Sequence, residues 1–136
     1  MLVEKNARRL RLLFAGAAVR EYPIALGRSP VGAKQRIGDG RTPEGEYRLD
    51  WRMQDSAFHR AIHISYPSEG DRRAASEAGA AAGGAIMIHG LPNGAEWIGE
   101  DHRRFDWTDG CIALTNEEMD EIWELVDDGT PIEIRP

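Results

Sequence analysis

The seven residues Ala61–Pro67, AIHISYP, alternate between apolar and polar side chains. Ile62, Ile64 and Tyr66 fall on one side and His63 and Ser65 on the other, which is the period of a strand with one buried face. Other segments carry strand patterns of their own. Leu10–Phe14 and Val19–Leu26 read as two strands around an Ala-Gly turn. Tyr47–Trp51 alternates after the turn-rich GDGRTPEGEY, AIMI is a short apolar strand that ends at His89, and TPIEIRP reads as a last strand.

One segment breaks the period-two pattern. In TNEEMDEIWELVDDG, Thr115 and Glu118 fit a capping box. Met119, Ile122, Trp123 and Val126 recur at helical spacing, and Gly129 stops the run. The alanine-rich stretch 74–85, AASEAGAAAGGA, suggests a second, short helix ended by Gly83–Gly84. No repeat or low-complexity linker divides the 136 residues. The expectation is a single mostly β domain over residues 1–136, with one firm helix after residue 114 and a second short one upstream.

The charge balance narrows the partners. With 17 basic against 23 acidic residues the net charge is −6, which argues against a nucleic-acid binder. The basic residues still gather in RRLR, GRSPVGAKQR and HRR, stretches suited to an anionic ligand. No apolar run nears the ~20 residues that span a bilayer, so no membrane insertion of this chain is expected. The first ten residues, MLVEKNARRL, lack the apolar core of a signal peptide. The pattern says nothing of oligomeric state. A single cysteine excludes an internal disulfide and any multi-cysteine metal site.

That cysteine, Cys111, lies in DWTDGCIAL directly after Gly110. A lone buried cysteine often serves as a small hydrophobe. A glycine-preceded one can instead be a nucleophile presented on a tight turn. The thiolate is the attacking form and a free thiol has a pKa of ~8.5, so a base or a local positive charge is needed. Of His59, His63, His89 and His102, His89 stands out because it closes an apolar strand and precedes Gly90. An imidazolium there would favour the thiolate. Gly110 admits a close approach of substrate, and the N–H groups of Gly110 and Cys111 are candidate oxyanion donors. A zinc site built from His89, His102 and Cys111 matches no recognised ligand spacing. Trp97 and Trp107 flank the same loop and are candidate cleft walls, and His63 is a candidate border residue.

The segments IHG and TDGCIAL together resemble the signature of the L,D-transpeptidase, or YkuD-like, catalytic domain. That signature is a His-Gly, a variable loop, then Ser/Thr-x-Gly-Cys. YPIALG, GDGRTPEGEY and AIHISYP resemble further segments of the family in the same order, from about Val3 to Ile134. The resemblance implies a β-sandwich-like fold, with Cys111 as nucleophile, His89 as base and Thr108 as the Ser/Thr of the motif. It also implies a backbone carbonyl, in Gly90 or in Thr108–Gly110, that orients the histidine. Two positions depart from the pattern. Asp109 stands where many members have histidine, and Ala113 where many have an arginine thought to aid substrate binding. Arg103 and Arg104 are the first candidates to replace it, with Arg41 and Arg60 behind them; His63 and Trp107 complete the tentative substrate-binding set. The implied substrate is a peptidoglycan stem peptide in the cell envelope or periplasm, with no metal and no organic cofactor. Cleavage of an L–D bond would leave a thioester on Cys111, passed to an amine in a transpeptidase or to water in a carboxypeptidase or amidase. A non-catalytic wall-binding module is the alternative of another class.

Overall fold

The computed structural model describes residues 1–136. Eight strands form one mixed sheet: β1 Leu2–Glu4, β2 Arg9–Phe14, β3 Ala17–Pro23, β4 Gly45–Ser56, β5 His59–Ile64, β6 Met87–His89, β7 Ile112–Ala113 and β8 Pro131–Arg135. Their order is β3-β2-β1-β8-β4-β5-β6-β7. Two α-helices, α1 Glu69–Glu77 and α2 Asn116–Leu125, and a 3₁₀ segment Glu96–Arg104 complete the chain.

β4 is the hinge of this sheet. Its first part, Gly45–Arg48, pairs with β8, and the part from Leu49 on pairs with β5. The strand expected at Tyr47–Trp51 is therefore the middle of a longer one. The strand expected at Val19–Leu26 ends earlier. After β3 the chain leaves its hairpin, and Ala25 pairs antiparallel with Ala113 of β7. Ala25 and Ala113 exchange both backbone bonds, at 3.1 and 2.9 Å. Thus Ile24–Gly27 runs from one edge of the sheet to the other and folds the two halves against each other. Ile24, Leu26, Leu49, Ile64 and Leu114 are buried in one continuous core with Val3 and Leu10. Burying each such side chain contributes roughly 1.5–3 kcal/mol.

The helices follow their caps. Thr115 and Glu118 form the capping box of α2, whose Met119 and Ile122 are buried. The alanine-rich helix lies elsewhere than expected. α1 starts at Glu69 because Ser68 and Asp71 form a second capping box, and it ends at Glu77, before Gly79 at φ +71°. The alanines beyond it are not helical. Their carbonyls serve other segments: Ala82 accepts from the Tyr66 hydroxyl at 2.9 Å and Ala81 from the Ile37 N–H at 2.8 Å.

Strand register then sorts the side chains. Ile62 pairs with Ile88 and Ile88 with Ile112, giving a fully buried row on the face that α2 covers. Ala61, His89 and Ala113 are the neighbouring row and, by alternation, point to the other face. One step along, His63 pairs with Met87, and Cys111 lies beside Met87 on that same face.

Candidate active site

Cys111 directly precedes β7, and by alternation its side chain shares a face with that of His89 on the neighbouring β6. Both line a cleft of about 750 Å³, together with Lys34, Phe58, Trp107 and Thr108.

His89 is buried, at 3% exposure. Its Nδ1 is 2.7 Å from the carbonyl oxygen of Gly90, so Nδ1 carries the proton and donates it there. Nε2 then keeps its lone pair. Phe58 and Trp107 pack on the ring, with centroids 4.5 and 5.7 Å away. Trp107 is itself anchored by its Nε1–H, which donates to His102 Nδ1 at 3.2 Å. Burial holds the His102 pKa down at about 4, with the Arg103 charge adding to it, so His102 is neutral and able to accept that bond. Gly90 is required by crowding. A Cβ there would lie 2.6 Å from Asn116 Oδ1 and 3.0 Å from His59 Cβ.

Cys111 sits at the end of a turn closed by one hydroxyl. Thr108 Oγ1 accepts from the Gly110 N–H at 3.1 Å and donates to the Cys111 carbonyl at 2.7 Å. Gly110 takes φ +135°, and a Cβ on it would meet the Arg41 carbonyl oxygen at 2.7 Å. The Gly110 N–H is thus engaged inside the turn. Of the two oxyanion donors expected, it is unavailable, and the Cys111 N–H is the remaining one. Asp106 ties the turn to the body of the protein, since it accepts from the Arg8 guanidinium and from the Leu26 N–H at 3.0 Å.

The thiol contacts the Met87 N–H at 3.4 Å and the Ala85 carbonyl at 3.5 Å. Burial pushes its pKa up; the Met87 N–H acts against this, Asp109 adds to it and the Lys34 charge opposes it. Burial moves His89 the other way, to a lower pKa, with the Gly90 bond only partly restoring it. The two shifts leave both groups neutral at rest. Both shifts favour a thiol and a neutral imidazole over a thiolate and an imidazolium.

The remaining expectations separate. Trp107 and Thr108 line the cleft. His63 does not; its Nδ1 pairs with Asp50 at 2.6 Å and its ring stacks on Trp51. Arg103 is bound to Glu118 of the α2 cap, and Arg104 is an exposed partner of Asp101 at 3.2 Å. Arg60 packs on Asp120 and Trp123, on the far face. Arg41 donates to the Ala33 carbonyl at 3.5 Å, and Trp97 is exposed on the 3₁₀ segment. The cations of the cleft are Arg28 and Lys34, both from GRSPVGAKQR. Neither is among the candidate site residues drawn from the sequence, although both lie in a basic stretch suited to an anionic ligand. No three His, Cys, Asp or Glu side chains converge as for a metal ion.

The model of the YkuD L,D-transpeptidase catalytic domain matches residues 1–134. The chain belongs to this family. Among curated relatives, the putative L,D-transpeptidase YafK of Escherichia coli K12 is 33% identical over 108 residues, which are 77% of this chain and 36% of that protein. Among solved structures, the helical cell shape determining protein Pgp2 of Campylobacter jejuni superposes with a TM-score of 0.74 at 26% identity, covering 98% of this chain and 46% of that one. An L,D-transpeptidase of Mycobacterium smegmatis shares the fold, with a TM-score of 0.63 at 14% identity over 99% of this chain and 57% of that one. The chain spans about a third of the curated family member and under half of Pgp2.

Proposed function

We propose that this domain is a cysteine-dependent L,D-transpeptidase acting on peptidoglycan stem peptides in the cell envelope. The observation that carries the reading is the His89 Nδ1–H bond to the Gly90 carbonyl at 2.7 Å. It fixes the tautomer that leaves Nε2 basic, in the same cleft as Cys111. Sulfur attacks the scissile carbonyl carbon of an L-centre while its proton passes to His89 Nε2. The Cys111 N–H donates to the oxyanion so formed. Collapse breaks the C–N bond, and Nε2–H protonates the departing amine of the D-residue. The thioester on Cys111 then passes to an acceptor amine, with His89 taking the proton of the incoming nucleophile, and the thiol is regenerated. Water in place of the amine gives a carboxypeptidase outcome from the same intermediate. No step calls for a cofactor.

Family membership and the likeness to Pgp2, named for cell shape, support the substrate class. The structure has no helix long and apolar enough to cross a membrane. The test is mass spectrometry of the protein with a stem tetrapeptide, with and without a D-amino acid acceptor. The expected result is an acyl adduct on Cys111, loss of the terminal D-residue, and exchange when the acceptor is present. Cys111→Ser is expected to lower turnover by at least about 10⁴-fold while keeping its melting temperature. Retained turnover in that variant refutes the cysteine mechanism.

A further inference from the structure

The sheet face that holds Cys111 continues past the edge of the cleft. Its side chains form two rows across the strands. Met53, Ala61, His89 and Ala113 make one, and Trp51, His63 and Met87 the other, with the Cys111 thiol against Met87. Ala61, Met87, His89 and Cys111 line the cleft, and the next side chains outward on the rows are Met53 and His63, then Trp51. Met53 and Trp51 are 40% and 41% exposed, so the floor of the cleft opens onto an apolar ledge. The ledge is rigid. The Trp51 ring stacks on His63, with centroids 4.7 Å apart and planes 14° from parallel, and His63 Nδ1 is held by Asp50 Oδ1 at 2.6 Å. A carboxylate has two oxygens and about four acceptor sites, and Asp50 is half-exposed, so acceptors remain free beside the indole.

A flat apolar plate edged by acceptors suits a pyranose ring, whose C–H face stacks on an aromatic side chain while its hydroxyls donate at the rim. A protein partner suits it less, because two half-exposed side chains fall far short of the ~800 Å² per partner that a standard interface buries. The reach also fits. Cys111 Sγ is 3.4 Å from the Met87 nitrogen, and two strand spacings of about 4.8 Å, roughly 10 Å together, separate Met87 from Trp51. In a stem tetrapeptide that loses its last residue, the scissile carbonyl belongs to the third residue counted from the sugar. Three extended residues at about 3.3–3.6 Å each span the same roughly 10 Å. Resting on the reading of the site as acting on peptidoglycan stem peptides, we propose that Trp51, backed by His63 and Asp50, is a carbohydrate subsite that stacks the glycan sugar bearing the stem peptide. The domain then prefers donors still attached to their glycan over free peptides.

The experiment is calorimetric titration in a Cys111→Ala background, so that binding is read without turnover. Two probes are compared: a free stem tetrapeptide, and the same peptide attached to its amino-sugar disaccharide. The disaccharide form is expected to bind about ten-fold more tightly. Adding Trp51→Leu is expected to bring the two affinities within about two-fold while leaving that of the free peptide unchanged. Trp51→Phe keeps a ring on the strand and is expected to retain part of the preference. Equal affinities before Trp51 is changed overturn the proposal without need of any further variant. A preference that survives in full in the leucine variant overturns it, and so does an equal loss for both probes, which a merely structural role would give. Turnover of the free tetrapeptide by the unaltered chain tests the acyltransferase reading separately, since that reaction needs no sugar.

Discussion

Replacing Thr108 by valine keeps the shape of the side chain and removes its hydroxyl. Two contacts go with it: the bond accepted from the Gly110 N–H at 3.1 Å and the bond donated to the Cys111 carbonyl at 2.7 Å. Thr108 is 5% exposed and Gly110 is buried, so water cannot replace the lost partner without opening the turn. A buried donor left without a partner costs about 1–3 kcal/mol, and a net hydrogen bond about 0.5–1.5. The sum is roughly 2–4 kcal/mol. At about 4 °C per kcal/mol for a domain of this size, the melting temperature should fall by roughly 8–16 °C. The turn also aims Cys111, so kcat/KM on a stem peptide should drop at least about ten-fold even where the domain is fully folded. Thr108→Ser keeps the hydroxyl and should recover most of both quantities. The assays are thermal melting by circular dichroism and steady-state kinetics well below the melting point. If the valine variant melts within 2 °C of the serine variant and turns over equally fast, the hydroxyl does not hold the turn and the reasoning fails.

Two further outcomes follow from crowding and charge. Gly90→Ala brings a methyl to 2.6 Å from Asn116 Oδ1 and 3.0 Å from His59 Cβ, so either Asn116 gives up its bond from the Leu91 N–H or the His89–Gly90 backbone shifts; kcat/KM should fall at least about ten-fold, and an unchanged value would show that the site absorbs the methyl. Burial disfavours the Asp39 charge, but Lys34 and three backbone N–H groups outweigh it and take its carboxyl from 3.8 down to about 2. The folded pKa is the lower one, so the contribution of roughly 2 kcal/mol is whole above pH 3.8 and fades as pH falls toward 2. Melting curves of the parent and Asp39→Asn should therefore lie well apart at pH 6 and converge near pH 2; a constant gap would count against the pairing.

Local patterns were legible where one segment decides its own structure. Thr115 and Glu118 announce α2 because a capping box needs only four residues of chain. The alternation in Ala61–Pro67 reports its face because the period of a strand is two. The position of α1 was readable by the same rule from Ser68 and Asp71, but alanine propensity drew the helix downstream. Propensity is weak, and the carbonyls of Ala81 and Ala82 were needed by Ile37 and Tyr66, which lie far off in sequence. The same separation explains the arginines. Arg103 and Arg104 stand near Cys111 along the chain, whereas Lys34 arrives from a distant turn. Cys111 and His89 were singled out from their glycine neighbours; their shared face depends on the parallel register of β6 and β7, which periodicity does not reveal.

The pairing of Ala25 with Ala113 has a kinetic side. Joining segments so far apart in sequence carries a large loop-closure cost, and contacts of that kind set the pace of folding. β7, the short strand that follows Cys111, has β6 on one side and the Ile24–Gly27 segment on the other. Until that closure occurs, β7 is held by β6 alone, and the cleft lacks the wall that Arg28, Lys34 and Gly40 supply. A chain still folding therefore carries Cys111 in unfinished surroundings. The cleft around it is complete only when the N-terminal third of the domain has docked, which makes the accessibility of that thiol a reporter of finished folding.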